Sequence, residues 1–308
     1  MMAHGSIVAF APGRVNLLGE HTDYAGGLAL PFAIDRGVTV RATPLPGPLT
    51  MAVARDLGET DAFDAWRPGP TTGWRAFVRG TVAELDARPA RIEIGGNLPR
   101  GGGLASSAAL GCALALALCG CEDPDRRALA RLASRVENEW VGARTGLLDQ
   151  YASLLAREGH ALRIDFTADT VEPVPLELGG WRLAVAAAGA RDLATAGYND
   201  VRAEPDGAHV TSENARVRAF TGVETLGPLL DESHASLRDD LGVSTERVEA
   251  VVTAMKGAGA TGARLIGGGF GGHVLALFAP DVPLPRGTRE VRPSAGAYIL
   301  GPARRQPG

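Results

Sequence analysis

Apolar and polar residues alternate along several stretches of the chain, and each such run predicts a β-strand. Ser6–Ala11 (SIVAFA) is a short apolar strand running into Pro12-Gly13. Leu30–Ala42 continues as β-like sequence, with Val38-Thr39-Val40 as its clearest run. Pro44–Pro70 is loop-rich around a weak strand at Leu49–Ala54, and Arg91–Gly95 (RIEIG) alternates like a half-buried strand. Trp74–Leu85 has a different period: Trp74, Phe77, Val78 and Val82 share one helical face. Ser106–Leu118 is Ala/Leu-rich and favours a helix, and Asp125–Trp140 reads as the next one. His160–Phe166 and Trp181–Ala187 are predicted strands, three helical patterns lie between Val210 and Ala258, and His273–Phe278 is a last strand. No internal repeat interrupts this order of mixed α and β elements.

The stretch Asn97–Leu118 (NLPRGGGLASSAALGCALALAL) joins a strand to a helix through glycines. Pro99 stops the strand. Gly101, Gly102 and Gly103 let backbone N–H groups approach a ligand with no Cβ in the way. The first N–H groups of the helix opened by Ser106 and Ser107 lack intrahelical partners, and the helix dipole is positive there. Such a segment is either an anion site, most often for phosphate, or a glycine-rich turn with a serine cap. It is not a Walker A loop, because no Gly-Lys-Ser/Thr follows.

Two further segments concentrate polar groups among glycines. In RVNLLGEHTDYAGG, Arg14, Asn16, Glu20, His21, Asp23 and Tyr24 lie beside Gly19, Gly26 and Gly27. That density suits a polyhydroxylated ligand better than a polar hairpin turn, which needs far fewer charged groups. In ARLIGGGFGGHVLALF, Gly267, Gly269 and Gly272 formally match Gly-x-Gly-x-x-Gly. A dinucleotide loop opens a helix and is followed by an acid about 20 positions on; here a strand follows, so that reading fails. Glu137 and Glu139 are two apart and cannot share one helix face. Asp149 falls in the first turn of a predicted helix, where a carboxylate is also a simple dipole partner.

Composition narrows the class. A chain of 308 residues with 45% apolar and 21% charged content is a globular protein of one large or two smaller domains. Aromatics are 5% of the chain, so close packing through alanine is expected. A net charge of −4 leaves no basic footprint for nucleic acid. Cys112, Cys119 and Cys121 form no disulfide or zinc pattern. With no membrane-length apolar segment and no basic-then-apolar N-terminus, a cytoplasmic location is expected.

The motifs together carry a resemblance. GRVNLLGEHTDYAGG resembles the sugar-binding signature of the galactokinases, with Ala25 where that family usually has Asn. Pro-x-Gly-x-Gly-Leu-x-Ser-Ser-Ala-Ala resembles the phosphate loop of the wider GHMP kinases, and GLLDQYAS and ARLIGGGFGG match in order. The resemblance implies a two-domain α+β architecture: a ribosomal-protein-S5-like domain over residues 1–178 and a ferredoxin-like α/β sandwich over 179–308. It implies transfer of the ATP γ-phosphoryl group to the anomeric hydroxyl of galactose, with Mg²⁺, in a monomer that binds neither nucleic acid nor membrane. By the same resemblance Arg14, Glu20, His21, Asp23, Gly146, Asp149 and Tyr198 contact the sugar, and Asp149 and Arg14 are catalytic. Gly101, Gly102, Gly103, Leu104, Ala105, Ser106 and Ser107 would cradle the nucleotide phosphates, and Ser107 with Glu137 would hold the metal. Trp74 stands where the family has an aromatic near the nucleotide, or is a core aromatic at a helix start. Arg191 replaces a usual His, and Arg202–His209 is shorter than the family's insertion. A kinase for N-acetylgalactosamine or arabinose, or a non-catalytic sugar sensor on the same fold, are the rivals.

Overall fold

The computed structural model describes residues 5–99, 101–189, 201 and 203–300. Its first half is β1 (Ile7–Asn16), β2 (Leu28–Ala29), β3 (Pro31–Pro44), β4 (Leu49–Ala54), β5 (Glu59–Asp64), α1 (Trp74–Glu84), β6 (Ala90–Gly96), α2 (Ser106–Leu118), α3 (Arg126–Arg135), α4 (Leu148–Leu155), β7 (His160–Asp165) and β8 (Thr170–Pro175). Then follow β9 (Arg182–Ala187), α5 (Ala208–Ala219), α6 (Val223–Asp239), α7 (Glu246–Gly257), β10 (Gly262–Ile266), β11 (His273–Phe278), β12 (Arg289–Val291) and β13 (Tyr298–Leu300).

The described residues form three sheets: a six-stranded sheet in the order β13-β1-β3-β6-β4-β5, a four-stranded sheet β10-β11-β9-β12, and a small sheet β2-β7-β8. Helices α1–α4 pack with the first sheet around one core, in which Ala109, Ala113 and Leu116 of α2 meet Val40 and Ile92 of the sheet. The alanines let α2 lie close to the strands. A second core joins the two halves: Leu17, Leu30 and Leu104 pack with Leu183, Leu226 and Leu275. A third lies between the four-stranded sheet and α6–α7. The last strand departs from a division at residues 178 and 179, because β13 returns to pair with β1 in the first sheet.

Three local expectations are corrected. The strand at Ser6–Ala11 does not end at Pro12-Gly13; β1 continues to Asn16 across a bulge between Pro12 and Arg14. A bulge absorbs the missing proline donor, and Gly13 is required because a Cβ there would lie 2.4 Å from the Leu104 carbonyl oxygen. The helix expected over Asp125–Trp140 is α only through Arg135, with Asp125 capping the Arg127 and Ala128 amides, and continues as a π-helical turn over Val136–Val141. β5 and β8 had no strand signal: their exposed edge positions carry Glu, Thr, Asp and Pro, so neither alternates clearly. Cys112 is buried, and all three cysteines are free thiols.

Candidate functional site

β1 carries the first functional group into the middle of the fold. Its strand places Arg14 5% exposed beneath the glycine-rich loop. The Arg14 backbone N–H donates to the Leu104 carbonyl at 3.2 Å, and its Nη1 donates to the Gly103 carbonyl at 2.6 Å. On its other side Nε and Nη2 meet Asp149 Oδ1 at 2.7 and 2.6 Å. One guanidinium therefore ties the loop to the start of α4. Burial works against its charge, but Asp149 and Glu20 outweigh that and raise its pKa.

A cavity of about 350 Å³ opens over this pair, within the range typical of small-molecule sites. Its walls bring together Arg14, Glu20, His21, Asp23, Gly101, Gly103, Ala105, Ser106, Ser107, Glu137, Gly146 and Asp149 from the sequence reading, with Gly267 and Gly268 of the third glycine segment. Gly102 and Leu104 are behind this wall: Gly102 accepts a hydrogen bond from His273 Nδ1, and Leu104 is in the core. Trp74 is not among the lining residues. Its indole N–H donates to Glu59 on β5 at 2.9 Å, and Phe77, one turn further along α1, faces the cavity instead. Tyr198 lies outside the described residues.

At the start of α2, Ala105 is left-handed at φ 61°, and no side chain caps the helix. The first N–H groups of α2 therefore meet the cavity with a positive dipole end and glycines beside them, which is the geometry of an anion site. His21 and Phe270, in the other two glycine-rich segments, are also left-handed non-glycine residues. Each such residue costs about 1–2 kcal/mol, a load commonly found where a loop must hold ligand-binding geometry.

The carboxylates around the cavity have different surroundings. Glu20 is 3% exposed; burial pushes its pKa up, but Arg264 and Arg14 overcome this and hold it low. Asp23 is pushed up to about 6 by burial and by the charge of Asp149. Gly146 packs directly on Asp23, where a Cβ would lie 2.3 Å from the carboxylate oxygen. Glu137, 4% exposed, is pushed up to about 7 by burial, although Ser107, Thr145 and Gln150 hydrogen-bond to it. Those partners are neutral, so a cation bound beside Glu137 would favour its ionised form. Ser107 and Glu137 are hard oxygen donors on the same wall, and among the described residues no cluster of three acidic, His or Cys side chains surrounds them. That sparse set suits Mg²⁺, which keeps waters and takes few protein ligands beside phosphate. Glu139 is exposed, as its register two residues away requires.

Arg264, Glu213 and His209 escaped the sequence reading although they hold the sugar-signature segment. Arg264 sits in the strand just before the third glycine run, yet an arginine in an apolar strand gives no local sign that it is buried. Glu213 and His209 lie on a helix with no motif.

Residues 2–44 match the galactokinase galactose-binding signature, 74–157 the GHMP kinases N terminal domain, and 217–295 the GHMP kinases C terminal domain. The chain is 37% identical to the galactokinase of Mycobacterium tuberculosis, across 88% of each chain. It is 34% identical to that of Thermotoga neapolitana, across 87% of this chain and 88% of the relative. Lactococcus lactis galactokinase complexed with galactose superposes with a TM-score of 0.84 at 26% identity, covering 96% and 95% of the two chains. A Methanococcus jannaschii mevalonate kinase shares the fold at a TM-score of 0.72 and 20% identity, covering 95% and 99%.

Proposed function

The chain belongs to the galactokinases, a family of the GHMP kinases, and on that premise we propose how its cleft carries out ATP-dependent phosphorylation of galactose at the anomeric hydroxyl. One observation carries the residue assignment. Arg14 joins Asp149 to the glycine-rich loop inside a cavity that also receives the uncapped start of α2.

Phosphoryl transfer demands little covalent chemistry, so positioning and charge neutralisation dominate. The N–H groups of the cavity-lining Gly101, Gly103, Ala105, Ser106 and Ser107 cradle the phosphates. Glu20, His21, Asp23 and the Gly146 backbone meet the sugar hydroxyls, and Tyr198 is assigned to the sugar by resemblance alone. Asp149 orients the anomeric hydroxyl or takes its proton. Arg14 favours the ionised form of Asp149 and offsets charge on the moving group. Ser107 and Glu137 are the residues that would hold Mg²⁺. Bound there with ATP, the ion would supply positive charge to the phosphate oxygens. The presence of Ser107, Glu137 and Asp149 on one wall favours catalysis over a sugar-sensing role. We place the enzyme in the cytoplasm as a monomer; among the described residues no helix is long and apolar enough to cross a membrane.

The reading is tested with purified protein, ATP, Mg²⁺ and a panel of sugars. Galactose is expected to be strongly preferred over glucose, from which it differs at the 4-hydroxyl. A misplaced hydroxyl leaves buried polar groups unpaired at ~1–3 kcal/mol each. Equal kcat/KM for the two sugars would remove the assignment.

The metal assignment has its own test. Glu137→Ala is expected to raise the Mg²⁺ concentration needed for half-maximal rate, and Glu139→Ala to leave it unchanged. The pH dependence has a definite sign. With Glu137 titrating at about 7, protons compete with the cation increasingly as pH falls through that value. The Mg²⁺ requirement of the wild type should therefore rise below pH 7, and that rise should be smaller in Glu137→Ala, where only protonation of the ATP phosphates remains to cause it. A wild-type requirement flat from pH 6 to 8 would place the metal elsewhere.

A further inference from the structure

The sugar-signature segment is held from behind by a buried, charge-balanced cluster. Arg264 and Glu213 are fully buried, at 0% exposure. Arg264 Nη1 donates to the Leu17 carbonyl at 2.9 Å and to Ser233 Oγ at 3.0 Å, and its Nη2 lies 2.9 Å from Glu20 Oε1. Glu213 accepts from the Gly19 backbone N–H at 3.0 Å, from Ser233 Oγ at 2.5 Å and from Arg216 Nε at 2.6 Å. Its contact with Arg264 is longer, at 3.4 Å. Two more groups on the same helix join in: His209 Nε2 donates to the Glu20 carbonyl at 2.9 Å, and Asn214 Oδ1 accepts from the Leu28 N–H at 2.7 Å. Residues 209 and 213 are four apart and share one face of α5, and Asn214 is the next residue round the helix.

The cluster pairs two arginines with two glutamates. Buried ion pairs of this kind add little net stability over apolar packing of the same volume, whereas removing one partner is costly. What the cluster does instead is fix a direction. Arg264 and the Gly267 N–H, at 2.7 Å, both engage Oε1 of Glu20 while the residue faces the cavity. One end of the carboxylate is thereby anchored to the third glycine segment.

We infer that Glu213, acting with Arg264, is a positioning residue for sugar binding: it holds the backbone at residues 17–20 and the Glu20 carboxylate in the orientation that receives sugar hydroxyls. The inference rests on the galactokinase reading for the identity of the ligand, but the positioning itself does not.

Glu213→Gln is the discriminating variant. The Gly19 N–H, Arg216 Nε and Arg264 Nη1 can only donate to residue 213, so the amide nitrogen of Gln finds at most Ser233 Oγ, which already accepts from Arg264, and Arg264 loses the charge that balances its pull on Glu20. Two readouts are taken: hydrogen exchange of the Gly19 amide in the ligand-free protein, and calorimetric affinity for galactose and for ATP. Expected are faster exchange at Gly19, galactose affinity weakened about tenfold or more, and ATP affinity within about twofold of wild type. If Glu213→Gln does not unfold cooperatively, Ser233→Ala, which removes one bond without changing charge, must show the same ordering at smaller size. Unchanged Gly19 exchange with unchanged galactose affinity would overturn the inference, as would equal weakening of sugar and ATP. Faster exchange at Gly19 in a chain whose wild type takes no galactose would support the positioning role and sink the sugar reading alone.

Discussion

Asp149→Asn is expected to lower kcat by ~10²–10⁴-fold, the usual worth of a general base, while the fold and most of the galactose affinity persist. Asn preserves the shape of Asp149 and removes its charge and basicity. The position supports such a clean substitution: Asp149 lies in the first turn of α4, its side chain is 28% exposed, and both Arg14 contacts fall on one oxygen. Steady-state kinetics with galactose and ATP measure kcat, and calorimetry with galactose measures binding. A loss near tenfold would assign Asp149 to orientation alone, since a loose transition state demands little proton abstraction. Wild-type turnover in the Asn variant would reduce Asp149 to a helix-terminus carboxylate.

Local signals carried the sequence reading as far as they reached. The glycine-rich loop and α2 begin where the pattern placed them, because glycine, proline and an alanine-rich run each act on their own neighbours. Helix register put Glu137 and Glu139 on different sides and the family resemblance chose Glu137; the π-helical turn keeps Glu137 buried and Glu139 exposed. Where tertiary contact overrode local preference, the reading stopped short. Pro12-Gly13 reads as a strand end, yet Leu98 and Leu104 pack closely on Gly13 and β1 stays extended across a bulge. Trp74 looked equally suited to nucleotide or core; it packs against the first core and its N–H bonds Glu59, on a strand without sequence signal, so it is absent from the cavity wall. Arg264 and Glu213 are the extreme case: 51 positions apart, they acquire meaning only when α5, α6 and β10 meet behind the sugar segment.

The larger effect on turnover is expected at Arg14, where charge and geometry can be separated. Arg14→Met removes the cation from among Glu20, Asp23 and Asp149, the three carboxylates that raise its own pKa. Removing one partner of a buried pair typically costs ~3–5 kcal/mol. The Met variant should therefore unfold at lower denaturant concentration and lose essentially all turnover. Arg14→Lys keeps the charge but not the fork. Arginine reaches Asp149 through Nε and Nη2 and the Gly103 carbonyl through Nη1, whereas one ammonium on a flexible stem cannot hold both sides in fixed geometry. Lys should accordingly recover most of the stability and little of the rate, leaving kcat at least ~10²-fold below wild type, in line with misplacement of reacting groups. Denaturant unfolding and steady-state kinetics on both variants make the comparison. Full recovery of kcat by Lys would mean that Arg14 contributes charge alone. Equal stability of Met and wild type would mean that the carboxylates around it are neutralised by other groups.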